Sequence, residues 1–225
     1  MRVLIFGATG MVGQSVLREC LLAPDVTEVV TIGRSVTGQQ HPKLRELVHA
    51  DLLDYSAITA QLTGFDACFF CVGVTSTGIS EEAYRRITHD TAVAAATTLV
   101  QLNPQMTFVF VSAFGADSTG QSRTMWVRVK GAAENAIFAM PFRRAYAFRP
   151  AMIQPMHGIR SRTRMYRVMY IFFAPFLPIF RRLMPKHVTT TEIIGRAMLN
   201  VARHGASKQI LESEDINRLG AAPRV

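Results

Sequence analysis

Short apolar runs recur along the first 150 residues, each ending at a glycine or a small polar residue. Val3-Leu4-Ile5-Phe6 stops at Gly7, Glu28 to Ile32 stops at Gly33, and Leu47 to Ala50 is followed by Asp51. Ala67 to Val72 stops at Gly73, Phe108 to Val111 stops at Ser112, and Ala145 to Phe148 precedes Arg149-Pro150. Runs of this kind suit strands covered on both faces. Between them lie helical patterns: Met11 to Leu22, stopped by Ala23-Pro24; Ser80 to Leu102, stopped by Asn103-Pro104; and Thr124 to Ala139. A further helix is predicted from Thr189, where Thr189 and Glu192 have the spacing of a capping box and Gly205 lies just past the end. Gln209 to Glu212 is a last strand.

Strands separated by helices of this length pair in parallel, because each crossover needs about a dozen residues or more. The expected fold is α/β, a Rossmann-type doubly wound parallel sheet flanked by helices, in the strand order 3-2-1-4-5-6-7. With no internal repeat or low-complexity linker, residues 1–225 read as one unit, with 151–187 as an insertion that covers substrate or contacts a membrane. Ligands in such sheets bind beyond the carboxyl ends of the strands. Here those ends are Gly7, Gly33-Arg34, Asp51, Gly73 and Ser112.

Gly7-Ala8-Thr9-Gly10-Met11-Val12-Gly13 joins the first strand to the first helix. The glycines permit a tight turn and close backbone approach, and a helix start offers unpaired N–H groups to a pyrophosphate. Cofactor contacts are therefore expected from Gly7, Thr9, Gly10, Met11 and Val12, and from Gly73 across the crevice. An NAD site carries an acid near the end of the second strand for the ribose 2′-hydroxyl. This chain has Gly33-Arg34-Ser35 there instead. Arg34 and Ser35 suit a 2′-phosphate, so NADP is favoured over NAD; a solvated arginine is the plainer alternative. Asp51-Leu52 suits an adenine contact, with a helix-capping role for Asp51 equally open. Cys68 and Cys71 have redox spacing, but side chains three apart on a strand point to opposite faces, which argues against that chemistry.

With these residues placed, the chain resembles the short-chain dehydrogenase/reductase superfamily in its atypical NAD(P)-binding branch. The likeness rests on the Gly7, Gly10 and Gly13 spacing, Asp51, Cys71-Val72-Gly73, the stretch Val111 to Asp117 containing Ser112, Lys130 and Arg149-Pro150. Small epimerase-like and reductase-like members are similar in these stretches. The resemblance implies that Ser112 polarises a substrate carbonyl and that Lys130 binds the nicotinamide ribose and tunes a tyrosine four residues before it. That position holds Trp126, whose indole N–H donates a hydrogen bond but is no acid near neutral pH. Three readings follow: a cofactor-dependent binding or regulatory protein without hydride transfer; an oxidoreductase on a small carbonyl or hydroxyl substrate with another proton donor, Tyr84, Tyr166 or Tyr170; or one in which water supplies the proton while Ser112 and Lys130 organise the site.

Composition narrows the setting. The 225 residues are 49% hydrophobic and 18% charged, which excludes disorder as the main state. Three cysteines do not make a disulfide scaffold, no metal set is expected, and the apolar run before Gly7 is too short for a secretory leader. The expected compartment is the cytoplasm, with membrane association as an added property. The net charge of +9 is not spread evenly: residues 123–186 carry 13 basic and one acidic side chain, leaving −3 for the rest. Within that stretch, 160–186 surrounds an uncharged run from Val168 to Phe180 with arginines. The run is too short to span a bilayer. A lid or core element over an apolar substrate, an anionic membrane surface and an oligomer interface are its three readings. Nucleic acid is disfavoured, because no recognised motif accompanies the basic and aromatic residues.

Overall fold

The computed structural model describes residues 1–159 and 186–221. Its principal sheet has seven strands: β1 (Arg2–Phe6), β2 (Glu28–Gly33), β3 (Leu44–Val48), β4 (Ala67–Phe70), β5 (Thr107–Val111), β6 (Arg144–Arg149) and a last strand, β9 (Ile210–Glu212). They lie in the order β3-β2-β1-β4-β5-β6-β9, and every pairing is parallel. The Rossmann-type doubly wound sheet expected from the sequence is present, in the expected strand order.

Helices cover both faces because the central strands carry apolar residues on both. Val3, Ile5, Phe69, Val109 and Phe148 face one side and pack with α1 (Met11–Leu22) and α5 (Thr191–His204). Leu4, Phe6, Phe70, Phe108 and Phe110 face the other and pack with α3 (Thr91–Leu102) and α4 (Met125–Phe138). Phe69 is fully buried, and truncation to alanine there costs about 3–5 kcal/mol. Gly195 lets α5 approach α1, since a Cβ there would lie 2.8 Å from the Glu19 side chain and 3.0 Å from the Ser15 carbonyl.

The local differences from the sequence reading have physical causes. The third strand begins at Leu44, earlier than Leu47, because the adjacent charges Arg45 and Glu46 are both satisfied at the sheet edge. Arg45 pairs with Glu28, while Glu46 accepts from the Thr31 hydroxyl and the Thr37 N–H. The long helix opens at Ser80, whose hydroxyl accepts from Ala83 N, but it is not continuous. A short helix α2 (Glu81–Arg85) passes through a π-type turn, Arg86–Asp90, before α3. The C-terminal helix is capped by Thr190, which accepts from Ile193 N, and not by Thr189. Thr189 is instead buried in β8 (Val188–Thr190), which pairs with β7 (Met152–Gln154) in a small parallel sheet absent from the sequence reading. A final helix, α6 (Ser213–Ala221), was likewise not expected. It packs on α5 through Gly220, where a Cβ would lie 2.4 Å from the Ile193 carbonyl.

The basic aromatic segment 160–186 lies outside the described residues except for Lys186, and so do Tyr166 and Tyr170. Among the described residues no helix is long and apolar enough to cross a membrane.

Candidate functional site

The glycine loop follows directly from the strand–helix junction. Gly7 has φ of +74°, and a Cβ on it would meet the Cys71–Val72 peptide at 2.8 Å. Gly13 is more constrained still: a Cβ would fall 2.1 Å from the Gly7 carbonyl oxygen. These two positions press the start of α1 against the end of β1, and β1 against β4. Gly10 N–H donates to Gly7 O at 2.9 Å, closing the turn, and the Gln14 side chain donates to Thr9 O at 2.9 Å. Thr9 and Gly10 complete the loop, and Met11 and Val12 form the first turn of α1. Gly10 caps the helix without a side-chain hydrogen bond, and no acid lies in the first turn. The helix start therefore keeps free N–H groups and its partial positive charge for an anion.

Around this loop stand the other strand ends. Arg34 and Ser35 are exposed after β2, with no hydrogen bond or ion pair among the described residues. The loop that carries them is anchored by Glu46 to Thr37 N at 2.7 Å. Asp51 accepts from Leu53 N at 2.9 Å, so its local turn-forming role is real, and its exposed side chain retains acceptor capacity. Leu52 packs against the core beneath, and its carbonyl accepts the Tyr55 hydroxyl. Gly73 is exposed with open space where a Cβ would be. Burial pushes the thiols of Cys68 and Cys71 up, which leaves them unreactive.

Ser112 and Lys130 come together at the end of β5. Ser112 N–H donates to Phe148 O at 2.8 Å, while its hydroxyl is buried, with the residue 4% exposed, and has no hydrogen-bond partner among the described residues. Lys130 reaches from α4, where its Nζ donates to Val111 O at 3.2 Å and lies 5.3 Å from the Phe110 ring centroid. Burial lowers the Lys130 pKa to about 8, against a smaller opposing effect from Glu134. Gly131 makes this approach possible, since a Cβ there would lie 1.9 Å from Asp117 O. Trp126, half-buried, stands one helical turn before Lys130.

Two features of the site were not singled out from the sequence. Glu134, fully buried on α4, is gripped by Arg149: Nε donates to Oε1 at 2.9 Å and Nη2 to Oε2. Arg149 was noted as part of an Arg-Pro pair, but nothing in the spacing marked Glu134 as its partner. Phe114, 51% exposed, meets the His187 ring edge-on at 5.8 Å, joining the loop after β5 to the residue before β8. Its place in the apolar Ala113-Phe114 step was the available signal.

A strand, an uncapped glycine-rich helix start and open strand ends on one side are the architecture of a dinucleotide site. A family model described as NAD(P)H-binding matches residues 7–140. The chain belongs to the NAD(P)H-binding family. Among relatives of this NAD(P)H-binding protein, fmp52, mitochondrial, of Emericella nidulans is 28% identical over 206 residues, 88% of this chain and 85% of that protein. HTATIP2 of Rattus norvegicus is 29% identical over 155 residues, 67% of this chain and 62% of that protein. The name of the Emericella nidulans relative leaves the expected cytoplasmic compartment without support. The fold is that of the short-chain dehydrogenase/reductase superfamily. A superfamily protein of Agrobacterium tumefaciens with bound NAD superposes with a TM-score of 0.68 at 13% identity, covering 94% of this chain and 77% of that one. WbmF of Bordetella bronchiseptica, in complex with NAD+ and UDP, gives 0.70 at 15% identity, covering 94% and 71%.

Proposed function

We propose that this chain is an NADP(H)-dependent oxidoreductase acting on a small carbonyl or hydroxyl substrate, with the whole chain serving as one cofactor-binding unit. The observation that carries the reading is the buried Ser112 hydroxyl, without a partner among the described residues, at the carboxyl edge of the sheet that also carries the glycine loop, with Lys130 Nζ bonded to the adjoining Val111 carbonyl. A buried hydroxyl without a partner costs stability, and a substrate oxygen is a fitting partner for it. The bound nicotinamide supplies a hydride to the carbonyl carbon or takes one from the alcohol.

The chain's residues divide the work. Gly7, Thr9, Gly10, Met11 and Val12 hold the pyrophosphate at the start of α1, with Gly73 leaving room beside it. Asp51 and Leu52 border the adenine. Arg34 and Ser35 take the 2′-phosphate, which accounts for an exposed arginine at the strand end and supports NADP over NAD. Ser112 polarises the substrate carbonyl, and Lys130 holds the nicotinamide ribose and the charge that develops beside it. The competing reading, a cofactor-dependent regulatory protein, rests on Trp126 in place of a phenol.

Fluorescence titrations with NADPH and NADH separate the cofactor assignments. NADPH is expected to bind more tightly, and Arg34→Ala to weaken NADPH about tenfold, as the loss of one charge-assisted contact does, with NADH changed less than twofold. Tighter NADH binding, or an Arg34→Ala chain with unchanged NADPH affinity, contradicts the assignment. NADPH binding without oxidation across a broad carbonyl panel favours the regulatory reading.

A further inference from the structure

We propose that Lys130 is itself the proton donor of the reaction, its Nζ held at the carbonyl of Val111, the residue before Ser112, and taking the role that Trp126 leaves open. The proposal rests on the oxidoreductase reading above. Two of the three phenols among the described residues have their hydroxyls engaged by backbone away from Ser112, and the third, Tyr84, is on a helix packed against α4. The Tyr55 hydroxyl donates to Leu52 O, the Tyr146 hydroxyl contacts Ala206 behind the sheet, and Tyr84 is buried on α2. Lys130 Nζ spends one of its three protons on the Val111 carbonyl, the peptide group that leads into Ser112. Of the remaining two, one suits the nicotinamide ribose and the other an oxygen held by Ser112.

The surroundings keep this ammonium acidic. Its nearest carboxylate, Glu134, has both oxygens engaged by Arg149 from β6, so no carboxylate among the described residues forms an ion pair with Lys130. Charges on the other elements packed against α4 are also paired. Glu81 of α2 bonds Arg128 at 2.7 Å, and Asp90 of the π-type turn bonds His89 and lies near Arg85. Glu82 and Arg86 are exposed. Asp117, beside Gly131, accepts from Thr119 and Ser122. Burial without a counter-charge disfavours the charged form, consistent with a pKa near 8.

The step balances. The carbonyl carbon accepts a hydride from the reduced nicotinamide, the C=O π pair moves to oxygen, and that oxygen takes a proton from Nζ. The carbonyl is reduced to an alcohol, the nicotinamide is oxidised, and the neutral amine regains its proton from water.

Lys130→Arg tests the proposal, because a guanidinium keeps the positive charge and donor capacity but does not release its proton. NADPH affinity, the pH dependence of kcat for an aromatic aldehyde, and the pH dependence of Lys130 acetylation followed by peptide mass spectrometry are measured together. In the native chain kcat is expected to fall as pH rises through about 8, and Lys130 acetylation to show the same midpoint without any turnover. Lys130→Arg, which keeps the positive charge at the ribose, is expected to lose about 100-fold or more in kcat at saturating NADPH, the usual share of a general acid. Tyr84→Phe, Tyr166→Phe and Tyr170→Phe are each expected to keep the native pH profile. Retained kcat in Lys130→Arg, an acetylation midpoint near the ordinary lysine value, or loss of the reaction in any phenylalanine variant overturns the proposal. If NADPH binds and no carbonyl is reduced by the native chain, the oxidoreductase reading itself fails and takes the donor with it.

Discussion

Lys130 and Glu134 sit one turn apart on α4, yet their substitutions are expected to move stability in opposite directions. Glu134 and Arg149 form a buried ion pair, and removing one partner strands the other charge. Glu134→Ala is therefore expected to destabilise the protein by about 3–5 kcal/mol in urea denaturation. Lys130 is held below its ordinary value of 10.5, at about 8. Between those values the unfolded chain binds more protons than the folded one, so stability rises with pH through the window, and below pH 8 the cost of burying the ammonium is fully present. Lys130→Met should raise the melting temperature at pH 7, and its advantage over the native chain should shrink toward pH 10.5. An advantage that grows with pH contradicts the burial account. The glycine loop was legible residue by residue, because Gly7 and Gly13 occupy positions where any Cβ meets backbone. The Glu134–Arg149 pair was not, since its members stand on a helix and a strand whose contact depends on the whole sheet.

At the scale of elements, legibility followed burial. Strands covered on both faces announced themselves as apolar runs; β3, an edge strand with Arg45 and Glu46 at its centre, was read late by its first residues. The π-type turn left no mark in a helical pattern rich in alanine, and β7 and β8 are each too short to show a period. The cap of α5 offers a clean test of the corrected boundary. Thr190 accepts the Ile193 N–H, so Thr190→Ala should cost about 1 kcal/mol. The Thr189 hydroxyl is buried without a partner among the described residues, so Thr189→Val should be neutral or stabilising. The reverse order of costs in equilibrium unfolding would return the cap to Thr189.

Over the whole molecule, the topology brings the glycine loop and the end of β5 to one edge of the sheet. The sequence carries its basic excess between residues 123 and 186, which includes α4 and Lys130, while the remainder is slightly acidic. The strand order places the glycine loop of β1 next to the end of β4 and one strand from the end of β5, so a dinucleotide at the start of α1 would extend toward Ser112 and Lys130. That order was legible because alternating strands and helices leave few topologies, and right-handed crossovers leave fewer. The role of residues 160–185 was not legible, because their basic and aromatic composition suits a lid, a membrane or a partner alike. In the proposed function the glycine loop holds the cofactor for chemistry at Ser112 and Lys130. Calorimetric titration of NADPH into the native chain and into Gly13→Val, with circular dichroism to confirm that both fold, tests it most directly. The account predicts one NADPH per native chain and no measurable binding to a folded Gly13→Val chain; equal binding to both, or none to the native chain, would contradict it.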